Sequence, residues 1–206
     1  MTIPYLPPLP EDEAPDKVYT LVLDLDETLI HFDQEDDDEE GCYFIRPGAI
    51  KFLKEMSFYY EVVVFTAAMP DYADWILDNL DENGFMISHR LYRQHTTPTE
   101  DYAIKDLTNL GRSLERCIIV DNLAENFLYT TPNNGIWVES WYDDMHDQVL
   151  PNLQKFLQEI VEKEVPDVRR LLTQEIKEKI IYTCLERNKP MPPVEELLEG
   201  SQQNKE

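Results

Sequence analysis

Asp24, Asp26 and Thr28 close the apolar run from Val18 to Leu25, in the stretch Asp24-Leu25-Asp26-Glu27-Thr28. Alternate side chains of an extended chain share a face, so the carboxylates of Asp24 and Asp26 are expected to converge. Two negative charges about 4 Å apart repel by roughly 4 kcal/mol at an effective dielectric of about 20. A divalent cation such as Mg2+ removes that conflict. It also leaves one carboxylate free as a nucleophile and the other as an acid and base, which is the chemistry that phosphoryl transfer requires.

Such a pair needs a rigid support, and the rest of the chain supplies the elements for one. Tyr60 to Phe65 (YEVVVF) is a second continuous apolar run, ending at Thr66-Ala67-Ala68 before Pro70. Arg116 to Val120 (RCIIV) is a third and ends at Asp121-Asn122, while Gly135 to Val138 (GIWV) is a fourth. Continuous runs of this length read as strands buried on both faces. Apolar residues at helical spacing lie between them: Gly48 to Ser57, Asp71 to Leu80, Leu107 with Leu110, and Ala124 with Leu128. The alternation predicts an α/β fold, a Rossmann-like, mostly parallel sheet with helices on both faces. Ligands of such sheets bind outside the carboxyl ends of the strands, where Asp24, Thr66 and Asp121 all fall.

Taken singly, these residues have plainer readings. Thr66 suits a helix N-cap, Lys105 suits the surface, and Asp121-Asn122 suits a turn. Their joint occurrence at strand ends favours one site. His31, His89, His95 and His146 show no metal-ligand spacing and read as structural or surface residues.

The stretches LVLDLDETLIH, RPGAIKFL, YEVVVFTAAMPDYAD, RLYRQHT, IKDLTNLGRSLERCIIVDN and PDVRRLL resemble, in order, the FCP/SCP-type phosphatases of the haloacid dehalogenase superfamily, also called NLI-interacting-factor-like or CTD phosphatases. The resemblance spans roughly residues 17–172. It implies Asp24 as nucleophile, Asp26 as general acid and base, and Thr66, Ala67 and Lys105 as phosphate binders. It also implies Mg2+ held by Asp24, the backbone carbonyl of Asp26, and Asp121 or Asn122, with Thr28 orienting the Asp26 loop. Met69, Tyr72 and Arg93 would border the substrate entrance, and Arg90 would add positive charge there. The implied activity is Mg2+-dependent hydrolysis of phosphoserine or phosphothreonine through an aspartyl-phosphate. The implied substrate is the RNA polymerase II C-terminal domain or another phosphoprotein.

Two alternatives stand beside this reading. One is a non-catalytic binding module like the mitochondrial import receptor, a similar fold that has lost the paired aspartates; Asp24, Asp26, Thr66 and Lys105 argue against it here. The other is a small-molecule phosphatase. The short insertion between His31 and Arg46 replaces a large cap and leaves the expected site open to a protein surface, which favours a phosphoprotein. It is also too short for the whole apolar hairpin that binds a proline-containing peptide in SCP-type members.

With 206 residues, 42% of them hydrophobic, the chain can bury one sizeable core. Its net charge of −24 opposes direct binding to nucleic acid or to an anionic membrane. No apolar run reaches membrane-spanning length, and no signal sequence is evident. Cys42, Cys117 and Cys184 have no zinc spacing and point to a reducing intracellular compartment, nuclear or cytoplasmic. Oligomeric state is not legible.

Much of the charge is local, in residues 33–40 (DQEDDDEE), read either as a solvated loop or as a gate that selects basic substrates. The expected organisation is a Pro-rich extended arm over 1–16, either a linker or a WW-domain ligand, then a phosphatase domain over 17–172. A helical extension over 173–188 and a flexible tail over 189–206 follow. A docking helix is expected from Asp144 to Glu162, with Met145, Val149, Leu153, Phe156 and Ile160 inward. Asp167 should cap a second apolar stripe of Leu171, Leu172, Ile176, Ile180, Cys184 and Leu185.

Overall fold

The computed structural model describes residues 3–10, 18–33, 41–186 and 188–203. In chain order the strands are β1 (Thr20–Leu23), β2 (Ile30–Asp33), β3 (Cys42–Ile45), β4 (Glu61–Phe65), β5 (His89–Leu91), β6 (Thr97–Pro98), β7 (Ala103–Ile104), β8 (Cys117–Asp121) and β9 (Gly135–Trp137). The helices are α1 (Ala49–Met56), α2 (Pro70–Leu80), α3 (Glu125–Leu128), α4 (Val149–Glu162), α5 (Gln174–Ile176), α6 (Tyr182–Glu186) and α7 (Val194–Gln203). The central sheet is wholly parallel, in the order β5-β4-β1-β8-β9. Its four expected strands are present. The fifth, β5, lies at the edge and was invisible in the sequence because His89-Arg90-Leu91 is short and mixed in polarity.

Period-two alternation divides the sheet's side chains between two cores. Leu21, Leu23, Val62, Val64, Ile118 and Val120 face the larger one, shared with α1, α2 and α4. Val22, Val63, Phe65, Cys117 and Ile119 face a smaller one, closed by Leu6, Leu107, Leu110 and Phe127. Leu107–Asn109 is a 3-10 turn rather than a longer helix, so this face is covered mostly by turns and the amino-terminal segment. There the N–H groups of Tyr5 and Leu6 donate to the carbonyls of Asn109 and Leu110, and the expected extended arm is docked over residues 3–10.

Register places the chemistry at one edge. Leu23 pairs with Val64 on one side and Val120 on the other, so Asp24, Thr66 and Asp121 leave the sheet together. Of the acidic run 33–40, Asp33 ends β2, and 34–40 lie outside the described residues. β2 and β3 form an antiparallel two-stranded ribbon on either side of it.

The carboxy-terminal part differs from expectation in three places. Helix α4 begins at Val149 rather than Asp144, because the Asp147 side chain accepts the N–H of Val149, and Met145 lies 67% exposed in the preceding turn. Residues 189–206, expected to be a flexible tail, contain α7, which buries Val194 and Leu197 against the larger core. Leu171, Leu172 and Leu185 of the expected stripe are buried there as well. Asp167 caps a 3-10 turn, Val168–Arg170, rather than a long helix.

Two buried cations carry opposite energetic expectations. Arg46 forms a bidentate pair with Asp147, at 3.0 and 2.8 Å, and also donates to the carbonyl of Thr28. Lys177, in the π-helical turn Lys177–Ile181, donates to the carbonyl of Pro132 and sits 6.0 Å over the Phe127 ring. No carboxylate is bonded to it among the described residues, and burial pulls its pKa down to about 8. The folded form therefore holds this proton less tightly than the unfolded chain, so stability from this group rises with pH from about 8 to about 10.4. Lys177→Met is expected to raise Tm, by about 2–4 °C for each kcal/mol gained, and to flatten that rise. Arg46→Met leaves Asp147 unpaired and is expected to cost about 3–5 kcal/mol. Urea and thermal unfolding of both variants check the two signs.

Candidate active site

The turn after β1 is held by a dense set of backbone hydrogen bonds. The N–H of Asp24 donates to Val120 O, and those of Thr28, Leu29 and Ile30 converge on Leu25 O. Glu27 adopts φ 56°, left-handed for a non-glycine residue, and its N–H and C=O are engaged by Ile30 and Trp141. This strained turn aims the two carboxylates at different partners.

Asp24 is nearly enclosed. Its Oδ1 accepts from Lys105 Nζ at 2.5 Å and its Oδ2 from Thr28 Oγ1 at 2.9 Å. Thr28 was expected to orient the Asp26 loop; its hydroxyl instead holds the Asp24 carboxylate, and its carbonyl anchors Arg46. Asp26 points the other way, accepting from Tyr72 Oη at 2.6 Å and from Thr66 Oγ1 at 3.4 Å. Burial raises the Asp26 carboxyl above its ordinary value; the Tyr72 hydrogen bond opposes this, and Asp24 and Glu27 add to it. Tyr72, expected at the substrate entrance, is thus bonded to Asp26 itself, and Phe32 of β2 packs edge-on against its ring.

Thr66 follows β4, with its hydroxyl accepting the N–H of Ala68 at 3.0 Å. It is not the cap of α2, which starts from extended Met69 with Pro70 in its first turn. Arg93 folds back onto this segment, donating through Nε to Ala67 O at 2.6 Å, and Met69 stands exposed beside it. Arg90 does not reach the site, because Asp74 and Asp78 of α2 take its guanidinium.

Lys105 is fully buried, against the usual fate of a lysine. Its Nζ lies 2.5 Å from Asp24 Oδ1 and 2.7 Å from Asp121 Oδ2. Burial alone disfavours the ammonium, but Asp121 and Asp24 outweigh it and raise the Lys105 pKa. Burial likewise raises the Asp121 carboxyl, against the pull of Lys105. Donors to Asp121 from Lys105, Leu123 N and Asn126 Nδ2 favour the carboxylate, so we take the pair as ionised.

These contacts also sort the expected metal ligands. Each oxygen of Asp121 already accepts two donors, which turns it away from a cation, whereas each oxygen of Asp24 accepts one. The Asn122 amide donates through Nδ2 to Ser140 Oγ at 2.9 Å, leaving its Oδ1 3.5 Å from Thr28 Oγ1, on the Asp24 side. Among the described residues no three His, Cys, Asp or Glu side chains converge on one point. A carboxylate oxygen, a backbone carbonyl and an amide oxygen form a hard, sparse donor set that fits Mg2+, which keeps several waters. Ser140, Arg46 and Asn126 had no role in the sequence reading. Only Arg46 was even marked, by the RPG triplet.

Paired aspartates, a threonine and a buried lysine at the carboxyl edge of a parallel sheet form the arrangement of a haloacid dehalogenase-type phosphatase domain. The sequence model of the NLI interacting factor-like phosphatases matches residues 19–169, and the chain belongs to that family. It is 37% identical over 168 residues to CTD small phosphatase-like protein 3 of Caenorhabditis elegans, covering 75% of this chain and 58% of the relative. It is 33% identical over 186 residues to the human carboxy-terminal domain RNA polymerase II polypeptide A small phosphatase 1, covering 84% and 69%. The solved structure of Fcp1, an essential RNA polymerase II CTD phosphatase, shares the fold at TM-score 0.51 and 20% identity, covering 92% of this chain and 53% of that one. The chain spans about half the length of most curated relatives it matches.

The ammonium of Lys105 is what permits Asp24 and Asp121 to be buried together. Lys105→Met is expected to cost about 3–5 kcal/mol at pH 7, because it leaves two carboxylates unpaired. Protonation of Asp121, whose pKa burial already raises, relieves the repulsion, so the deficit against wild type should shrink toward pH 5. Urea unfolding at both pH values measures it, and an equal deficit at the two would contradict the ionised triad.

Proposed function

We propose that this protein is a Mg2+-dependent phosphoprotein phosphatase that hydrolyses phosphoserine or phosphothreonine through an aspartyl-phosphate on Asp24. The observation that carries the reading is the Lys105 ammonium, buried beside the Asp24 carboxylate at the sheet's carboxyl edge. An ammonium has three N–H groups; Asp24 and Asp121 use two, leaving one for a phosphoryl oxygen.

In this mechanism the phosphoryl group enters between Asp24, Lys105 and the Thr66-Ala67 turn. Lys105 and the Thr66 hydroxyl bind its equatorial oxygens, where negative charge accumulates. The fixed carboxylate of Asp24 attacks phosphorus in line, and the P–O bond to the serine or threonine oxygen breaks. Asp26 gives its proton to that leaving oxygen, a role helped by the upward shift of its pKa. As a carboxylate it then takes a proton from the water that attacks phosphorus, which returns Asp24 and releases phosphate. Asp24, the Asp26 carbonyl and Asn122 Oδ1 would hold Mg2+. When bound, the ion supplies positive charge that lets the anionic nucleophile approach an anionic phosphoryl group.

The substrate is proposed to be a protein because, among the described residues, the β2-β3 ribbon is the structure beside the site, with Phe32 against Tyr72. The names of the relatives point the same way. With a net charge of −24, sites flanked by basic residues are favoured. A panel of phosphopeptides with and without basic flanks tests this part of the reading.

Asp24→Asn is expected to abolish Mg2+-dependent hydrolysis of p-nitrophenyl phosphate while leaving the fold intact. Asp26→Asn should release about one equivalent of p-nitrophenol in a burst and then stall, because that leaving group needs little protonation whereas the phospho-enzyme still needs a base. Tyr72→Phe removes a hydrogen bond to Asp26 and is expected to lower kcat about 5–30-fold. Rapid-quench kinetics distinguish these outcomes. Sustained turnover in folded Asp24→Asn would eliminate the covalent mechanism.

A further inference from the structure

Asn126 lies in the one-turn helix α3, is 4% exposed, and bonds to both Lys105 and Asp121. Its backbone carbonyl accepts the N–H of Lys105 at 2.7 Å. Its side-chain Nδ2 lies 3.0 Å from Oδ1 and 3.2 Å from Oδ2 of Asp121. Oδ2 of Asp121 in turn accepts from the Lys105 ammonium at 2.7 Å. One residue thus restrains the backbone of the lysine directly and its charged end through a carboxylate.

The amide is oriented at a cost. With Nδ2 against Asp121, the Oδ1 of Asn126 is buried without a hydrogen-bond partner among the described residues. An unpaired buried amide oxygen is unfavourable, and leucine would fill nearly the same volume without that defect. Turning the amide over would set its oxygen against the Asp121 carboxylate, which is worse. Packing alone therefore does not explain an asparagine here, whereas holding Asp121 does.

We propose that Asn126 is the positioning residue of the phosphate-binding ammonium, fixing Asp121 so that Lys105 keeps one N–H aimed at the phosphoryl site. It touches no substrate and acts only through Asp121 and Lys105. This inference rests on the reading of Lys105 as a phosphate binder.

The decisive variant is Asn126→Leu, which keeps the carbonyl and volume but removes Nδ2. Its kcat on p-nitrophenyl phosphate is expected to fall about 10–100-fold, as for partners that orient a site's own ligands, with a smaller change in KM. The rise in Tm that inorganic phosphate produces with Mg2+ present should shrink in parallel. Because the effect runs through Asp121, Asn126→Leu should cost less than about two-fold further in an Asp121→Asn background. Phe127→Leu loosens the packing of α3 beside it and should lower Tm with kcat little changed.

Wild-type kcat and phosphate response in folded Asn126→Leu would overturn the proposal, as would additive effects in the double variant, or an equal loss of kcat in Phe127→Leu. Should Asn126→Leu fail to fold, Asn126→Ser, whose hydroxyl is too short to span both oxygens, carries the same expectations. A wild type without turnover would instead defeat the phosphatase reading. The phosphate-dependent Tm, compared between wild type and Asn126→Leu, would then decide this one alone.

Discussion

Lys105 places a positive charge where no water reaches it, between Asp24 and Asp121, and much of the molecule follows from that placement. A buried charge is tolerated only when its partners are close and their remaining valences are filled. Here the filling comes from Thr28, Leu123 N and Asn126, contributed by the turn after β1 and the segment after β8. The parallel register is a condition of the triad, since a slip of one residue would turn Asp24 or Asp121 to the opposite face.

The surrounding structure protects this arrangement with further paired charges. Arg46 joins the carbonyl of Thr28 to Asp147, and Asp147 starts α4, so the turn after β1 is braced against the longest helix described. Gly48, at φ 82°, begins α1 where a Cβ would come within 3.1 Å of Pro151, allowing α1 to pack closely on α4. The two helices and the turn form one unit. Arg46 is thereby linked to Asp24 through Thr28, whose carbonyl it holds and whose hydroxyl holds the Asp24 carboxylate.

Charge is distributed unevenly between that interior and the surface. Glu139, Asp143 and Asp144 are exposed in the loop that follows β9, and Ser140 and Trp141 of the same loop hold Asn122 and Glu27. Local cations must act inside a global negative field. They can, because the buried charge of Lys105 is screened far less than the charges of the exposed carboxylates. A cleft of about 580 Å3 between the Pro7–Pro10 segment and the starts of β1, β4 and β5 lies at the opposite edge, away from this chemistry.

What the sequence determined by itself was local: carboxylates one residue apart after an apolar run, a threonine after a second run, and Asp-Asn after a third. Strand periodicity and apolar continuity are short-range properties, and they sufficed for the parallel sheet, four of its five strands and the edge on which Asp24, Thr66 and Asp121 lie. Strand β5 and helix α7 escaped because each is short or mixed in polarity and is stabilised by what it packs on. The roles of partners were decided only in three dimensions. Lys105 looks like a surface lysine until residues 81 and 16 positions away enclose it. Tyr72 bonds to Asp26 across 46 positions, Arg46 finds Asp147 across 101, and Asn126 acquires its place from Asp121's position in β8. Hydrogen-bond direction and burial depend on distant chain segments, so they become definite only when the tertiary structure brings those segments together.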